Sequence, residues 1–174
     1  MHRLPFRLQR LRPDHAAALL DFERENRAYF AASVPDRGDP YFAHFGARHD
    51  ELLAEQAAGL HFFHVLVGDG GEILGRVNLV DVADGSAELG YRIAERAAGR
   101  GLATAAVREA CLLADAEYGL TALRAVTTLD NGASRAVLAR TGFMPGEEFL
   151  LDGRPALRFV RDLWEAAARE VPEP

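Results

Sequence analysis

Leu89-Gly90-Tyr91-Arg92-Ile93-Ala94-Glu95-Arg96-Ala97-Ala98-Gly99-Arg100-Gly101-Leu102-Ala103-Thr104 is the most informative stretch of this 174-residue chain. It opens with a strand, passes through two glycines and enters a helix-forming run at once. Glycine lets a backbone approach a ligand closely. The free amides and positive dipole end of a helix start favour an anion such as pyrophosphate. The same glycines also suit a purely structural turn. The stretch matches neither G-x-x-x-x-G-K-[ST] nor the three-glycine spacing of a dinucleotide site.

Upstream, His61 to Val67, Glu72 to Asp81 and Ala87 to Ile93 read as strands. Asp69-Gly70-Gly71 and Ala83-Asp84-Gly85-Ser86 separate them as hairpin turns, so the three form an antiparallel meander. Further upstream, Phe6 to Leu11 alternates as a half-buried strand, and Pro13 suits the first turn of a helix running to Phe30. Ser33 to Pro40 reads as a loop. Phe42, Phe45, Leu52, Leu53 and Gln56 fall at the spacing of a second helix that Gly59 closes.

Downstream, a helix to about Tyr118 carries a small apolar face of Leu102, Ala106, Ala110, Leu113 and Ala114. Leu123 to Leu129 then reads as a strand and Ala133 to Thr141 as a helix. Phe149 to Leu151 and Leu157 to Val160 read as strands around Asp152-Gly153, and 163–170 as a short terminal helix. The order predicts mixed α and β around one sheet, in a single domain over 1–174 with its core at about 6–163 and a C-terminal extension over 164–174.

Composition bounds the function. With 49% hydrophobic and 26% charged residues the chain is globular, neither disordered nor fibrous. All 20 basic residues are Arg, and a net charge of −6 gives no overall footprint for nucleic acid or an anionic membrane. The sign suits an amine substrate. No run approaches the length of a membrane span, and Arg and Pro interrupt the start before a signal core forms, so the expected location is cytoplasmic. Cys111 stands alone, which excludes an internal disulfide and a thiolate metal cluster, and its apolar neighbours read as core. His61 and His64 have opposite strand parity, and His44 and His49 are five apart on a helix, so no metal is assigned.

A second motif follows the first by thirty residues: Asn131-Gly132-Ala133-Ser134-Arg135-Ala136-Val137-Leu138-Ala139-Arg140-Thr141-Gly142-Phe143. In Arg96-x-x-Gly99-x-Gly101 and Asn131-x-x-Ser134-x-x-x-Leu138-x-x-x-Gly142-Phe143, the chain resembles the GNAT family of acetyl-CoA-dependent N-acetyltransferases. The resemblance covers Phe6 to about Leu163. It implies an α+β fold whose central mixed, mostly antiparallel sheet is splayed at a V-shaped cofactor gap and flanked by helices. Ala87 to Ile93, Asn131 with Ser134, and Asn26-Arg27-x-x-Phe30 are most similar to the Rim-type branch, whose best-known members acetylate the N-terminal amine of ribosomal proteins. That branch also contains enzymes acting on small amines. Where many relatives carry Pro-Glu ahead of the loop, this chain has Ala94-Glu95.

The resemblance implies acetyl-CoA as co-substrate and a primary amine as acceptor, in a monomer or homodimer. The acceptor is a protein N-terminus or a small amine such as an amino acid, polyamine or antibiotic. A CoA-binding module without turnover is the rival reading. Pantetheine would pair with backbone near Arg92 and Ile93. Pyrophosphate would meet the loop from Ala98 through Gly99, Arg100, Gly101, Leu102 and Ala103 to Thr104, with Arg96 and Arg100 adding charge or standing as solvated side chains. Asn131 would bridge pantetheine amides, cap a helix, or do both. Ser134 would hydrogen-bond the departing thiolate or be an ordinary surface serine.

Amine acetylation also needs a base. Strand parity sets Glu88, Gly90 and Arg92 on one face, and makes Glu88 either that base or an exposed residue paired with Arg92. Tyr91 falls on the apolar face and reads as core rather than as an acid. Phe30, Tyr41 and Phe42 are candidates to line the acceptor cleft.

Overall fold

The computed structural model describes residues 4–163. Strand β1 (Arg7–Arg10) leads through a short 3-10 turn (Pro13–His15) into helices α1 (Ala16–Glu25), α2 (Arg27–Ala31), α3 (Asp39–Ala43) and α4 (Phe45–Ala57). The meander follows as β2 (Phe62–Val67), β3 (Ile73–Ala83) and β4 (Ser86–Ile93). Then come α5 (Leu102–Ala116), β5 (Ala122–Thr128), α6 (Gly132–Arg140), β6 (Met144–Leu151) and β7 (Arg154–Asp162). The seven strands form one sheet in the order β1-β2-β3-β4-β5-β7-β6. Every neighbouring pair is antiparallel except β4 with β5, as a mixed sheet requires.

Helices cover both faces of the meander, and strand alternation decides which residues meet which layer. Arg76 of β3 meets Glu23 of α1 at 2.8 Å. Its neighbour Val77 faces the other way, in register with His64, whose ring meets Tyr118 just beyond α5 at 2.6 Å. The α5 layer packs closely because Ala106, Ala110 and Ala114, all at 0% exposure, keep its inner face flat. Leu19 and Phe22 of α1 seal the opposite side, with Leu66, Leu79 and Leu123 buried in the sheet between.

Three expectations are corrected. The helix from Pro13 towards Phe30 breaks at Asn26, whose side-chain amide donates to Phe22 O at 2.8 Å while its Oδ1 accepts from Glu95 N at 2.9 Å. That second bond ties the break to the far side of the meander, a tertiary contact that overrides helical continuity. The next helix is likewise split at His44, where φ −113° and ψ 26° interrupt the turn between α3 and α4. The last two strands are longer than alternation predicts. β6 is the sheet edge and exposed at nearly every position, so its sequence has no buried face to alternate with, and Pro145 is tolerated there because an edge strand can spare a donor. Beyond Leu163, the expected terminal helix lies outside the described residues.

Candidate active site

The parallel pair β4 and β5 opens part-way along. Ser86, Ala87 and Glu88 pair with Ala122, Leu123 and Arg124. After Glu88 the ladder between them stops, although β4 stays paired to β3 as far as Ile93 and β5 to β7 as far as Thr128. The facing edges from Leu89 to Ile93 and from Ala125 to Thr128 therefore carry backbone groups with no strand partner across the gap. Such groups need a partner, and an extended amide-bearing molecule can supply one. Arg92 and Ile93 lie at the end of the β4 edge, where sequence placed them.

Beyond that edge the chain is pinned before it turns. Ala94 is fully buried and its N–H donates to Leu74 O at 2.8 Å, while Glu95 N is held by Asn26. The unusual Ala94-Glu95 entry is thus a fixed post. Gly99 (φ 74°) and Gly101 (φ 78°) then take left-handed conformations, and Gly101 caps α5 with no side-chain bond to the helix start. Ala105 N–H is the first to reach back, to Gly101 O, so the amides of Leu102, Ala103 and Thr104 are the orphan donors of a helix N-terminus. A Cβ built on either glycine would meet nothing within 4 Å, so the backbone faces open space on that side. Ala98, Arg96 and Arg100 are exposed around it, and the Arg100 guanidinium is tied back to the Arg96 carbonyl. The loop fits a pyrophosphate.

On the α5 side of the gap, Asn131 caps α6, its Oδ1 accepting from Ser134 N at 3.1 Å. That leaves the Asn131 amide N–H₂ for a ligand, so capping and ligand binding are compatible. The Ser134 hydroxyl is 3.0 Å from the Tyr91 hydroxyl. Tyr91 does pack against the core, as parity predicts, yet its phenol emerges at Ser134. Burial raises the Tyr91 phenol above its ordinary pKa, with the Ser134 bond pulling the other way, so it stays protonated near neutrality. Sequence reasoning missed this pair because its members are 43 residues apart on different elements.

Glu88 lies on the opposite face of β4 from Tyr91 and is half-buried, in register with Val80 on β3 and Arg124 on β5. Arg92 shares that face but does not pair with Glu88. Its guanidinium instead reaches Glu23 at 3.4 Å and lies 4.6 Å from the centre of the Phe30 ring. Among the described residues no ion-pair partner is within reach of the Glu88 carboxylate.

Glu23 itself is a site residue that sequence did not single out. It is buried in α1 and faces Arg76 at 2.8 Å, Arg92 at 3.4 Å and Arg37 at 3.5 Å. The one signal available was Arg76, a charge inside the otherwise apolar run of Leu74, Gly75 and Val77. Phe30 and Phe42, two of the expected cleft aromatics, line a small cavity with Glu23, Arg37 and Arg92. Tyr41 stands beside it beneath the Arg37 guanidinium.

Cys111 is buried in α5 and burial pushes its thiol pKa up, so it is a packing residue rather than a nucleophile. Among the described residues no three His, Cys, Asp or Glu side chains are grouped to hold a metal ion, and no helix is long and apolar enough to cross a membrane.

The splayed parallel pair, the glycine loop and the capped α6 define an acyltransferase architecture, and the chain belongs to the acetyltransferase (GNAT) domain family, which it matches over residues 6–144. No curated protein matches it in sequence. Among solved structures it is similar to the ribosomal-protein-S5-alanine acetyltransferase of Vibrio fischeri, with 18% identity, a TM-score of 0.85, and coverage of 100% of this chain and 98% of that one. It is also similar to Mycobacterium smegmatis RimJ in complex with CoA-disulfide, with 25% identity, a TM-score of 0.80, and coverage of 98% and 88%. A third is a chimera of the Vibrio cholerae spermidine N-acetyltransferase SpeG and hSSAT, with 17% identity, a TM-score of 0.76, and coverage of 94% and 99%.

Proposed function

We infer that this enzyme moves the acetyl group of acetyl-CoA directly to a primary amine, and that the amine is the α-amine of a protein N-terminus. The observation that carries the direct transfer is the placement of proton-handling groups on opposite faces of β4 beside the gap: Glu88 on one, Tyr91 with Ser134 on the other. Acetyl-CoA supplies an activated thioester, and the amides of Leu102, Ala103 and Thr104 with the Asn131 side chain hold its pyrophosphate and pantetheine. Glu88 takes the proton from the attacking amine, directly or through a water. As the C–S bond breaks, Ser134 gives its hydroxyl proton to the departing sulfur and takes one from the Tyr91 phenol 3.0 Å behind it, and the phenol regains its proton from solvent while Glu88 releases the one it took. Each face thus handles one proton, and no covalent enzyme intermediate is needed.

The protein N-terminus as acceptor is supported by the likeness to RimJ and to the ribosomal-protein-S5-alanine acetyltransferase. A small amine is the second reading, since the fold is shared with a spermidine N-acetyltransferase. Release of CoA thiol with a panel of short peptides, amino acids and polyamines separates the two. Peptides with a free α-amine should be turned over, and their N-terminally blocked forms should not. Turnover of polyamines alone would contradict the proposed acceptor, and CoA binding without thiol release from any amine would contradict transfer itself.

A further inference from the structure

Glu23, Arg76, Arg92 and Arg37 do not balance. A buried carboxylate needs one good cationic partner, and Arg76 is that partner: its side chain is 4% exposed against 2% for Glu23, at 2.8 Å. Arg92 and Arg37 approach the other carboxylate oxygen at 3.4 and 3.5 Å, with side chains 24% and 33% exposed. Two positive charges therefore stand beyond the one that Glu23 neutralises, partly open to solvent, beside the cavity that Phe30 and Phe42 line. Nearby Arg27 is bonded by both Asp36 and Asp39, each at 2.8 Å, which leaves one negative charge there, so over the whole group the excess is one positive charge, and it stands at Arg37 and Arg92. Burial, helped by the charges of Arg37 and Arg76 and opposed by Glu23, lowers the pKa of Arg92, as expected where cations outnumber the anion.

The surplus lies on the acceptor face. Glu88, Gly90 and Arg92 alternate along one side of β4, and a Cβ on Gly90 would meet nothing within 4 Å, so an open strip joins the base to the arginines. Asn78 is in register with Gly90, and its buried Oδ1 has no hydrogen-bond partner among the described residues. From Glu88 to Arg92 the strand advances about 13 Å, at about 3.3 Å per residue. Laid along the strand, a free amino acid covers only part of that length. An extended peptide spans it in about four residues.

Building on the acetyltransferase reading above, we propose that the acceptor is a peptide N-terminus bearing an acidic side chain within about its first four residues, held by Arg37 and Arg92. Guanidinium is suited to carboxylate recognition through paired N–H donors. A polyamine would bring further positive charge to a strip that already has a surplus, so the same residues select against it.

Two tetrapeptide amides with free α-amines, Ala-Asp-Glu-Ala and its uncharged counterpart Ala-Asn-Gln-Ala, test this by turnover and by binding to the CoA-loaded protein. The acidic peptide should show a kcat/KM and an affinity each about tenfold or more higher. Arg37→Gln should remove most of that preference by bringing the acidic peptide's kcat/KM and affinity down towards those of the uncharged one, while Arg37→Lys should restore part of it. Equal affinity for the two peptides, or a preference untouched by Arg37→Gln, overturns the anion subsite, and turnover of both peptides in that case leaves the acetyltransferase reading standing. If neither peptide is turned over and spermidine is, the N-terminal acceptor and the anion subsite both fall.

Discussion

The two faces of β4 were built by different means. On the α5 side, the site is made of short contiguous pieces: a glycine loop, a helix start, and an asparagine that caps the next helix three residues before the serine it positions. On the α1 side, it is made of residues scattered along the chain, with Glu23, Arg37, Arg76 and Arg92 gathered from one helix, one loop and two strands. Under the proposed function, the difference follows from what each side would recognise. An identical donor can be held by local backbone geometry, whereas a particular acceptor requires side chains assembled through the tertiary fold.

The largest effect expected from either face is at Glu88. A positioned base contributes about 10²- to 10⁴-fold in rate, so Glu88→Gln should lower kcat by roughly 10²-fold or more with CoA affinity unchanged. A matching fall in CoA affinity, measured by calorimetry, would mean that the two faces are not separable. On the donor side, Gly101→Val should weaken CoA binding by roughly tenfold or more, since a β-branched residue is strained at a left-handed φ and its side chain fills the space the backbone leaves open. A folded Gly101→Val protein with unchanged CoA affinity would remove the loop from the donor site. A smaller effect is expected at Tyr91, which acts through Ser134. Tyr91→Phe should lower kcat by about tenfold or less and spare KM for the amine, because a water can take the place of the phenol in returning a proton to Ser134.

A consequence outside the chemistry concerns stability on the α5 face. His64 is fully enclosed, its Nδ1–H donating to Val77 O and its Nε2 accepting from the Tyr118 hydroxyl, and burial pushes its pKa down to about 4. The folded state therefore holds the ring neutral while the unfolded chain binds a proton at about 6.5. Its contribution is fully present above that value and is lost as pH falls from about 6.5 to about 4, a change on the order of 3 kcal/mol. Denaturant titrations across that window should show the slope, and His64→Gln should flatten it in part, since His15 is shifted in the same direction. An unchanged slope would show that the ring already titrates freely in the fold.

The geometry of the side proposed to hold the donor was largely legible in the sequence. Gly99 and Gly101 are needed at their positive φ, and Asn131 with Ser134 has the spacing of a helix cap, so the motifs announce their own geometry. Strand parity placed Glu88 on one face of β4 and Tyr91 on the other. Hidden from the sequence were the contacts whose partners lie far apart. Asn26 reads as an ordinary residue within a helix until its Oδ1 is found on Glu95 N, and Arg92 reads as a partner for Glu88 until Glu23 takes it. Edge strand β6 escaped for another reason, since a strand with neither face buried leaves no hydrophobic period.

The division of labour between the faces is tested most directly by the pH dependence of kcat for the native enzyme, Glu88→Gln and Ser134→Ala measured side by side with a saturating peptide acceptor. Removing the base should hurt most where the amine is protonated, so the Glu88→Gln loss should shrink towards high pH as free amine accumulates. Removing the thiolate's proton donor should lower kcat by a similar factor at every pH. Near-full activity of Glu88→Gln across the range with CoA binding intact, or a Ser134→Ala loss that recovers at high pH as the other does, would contradict the assignment of one proton to each face.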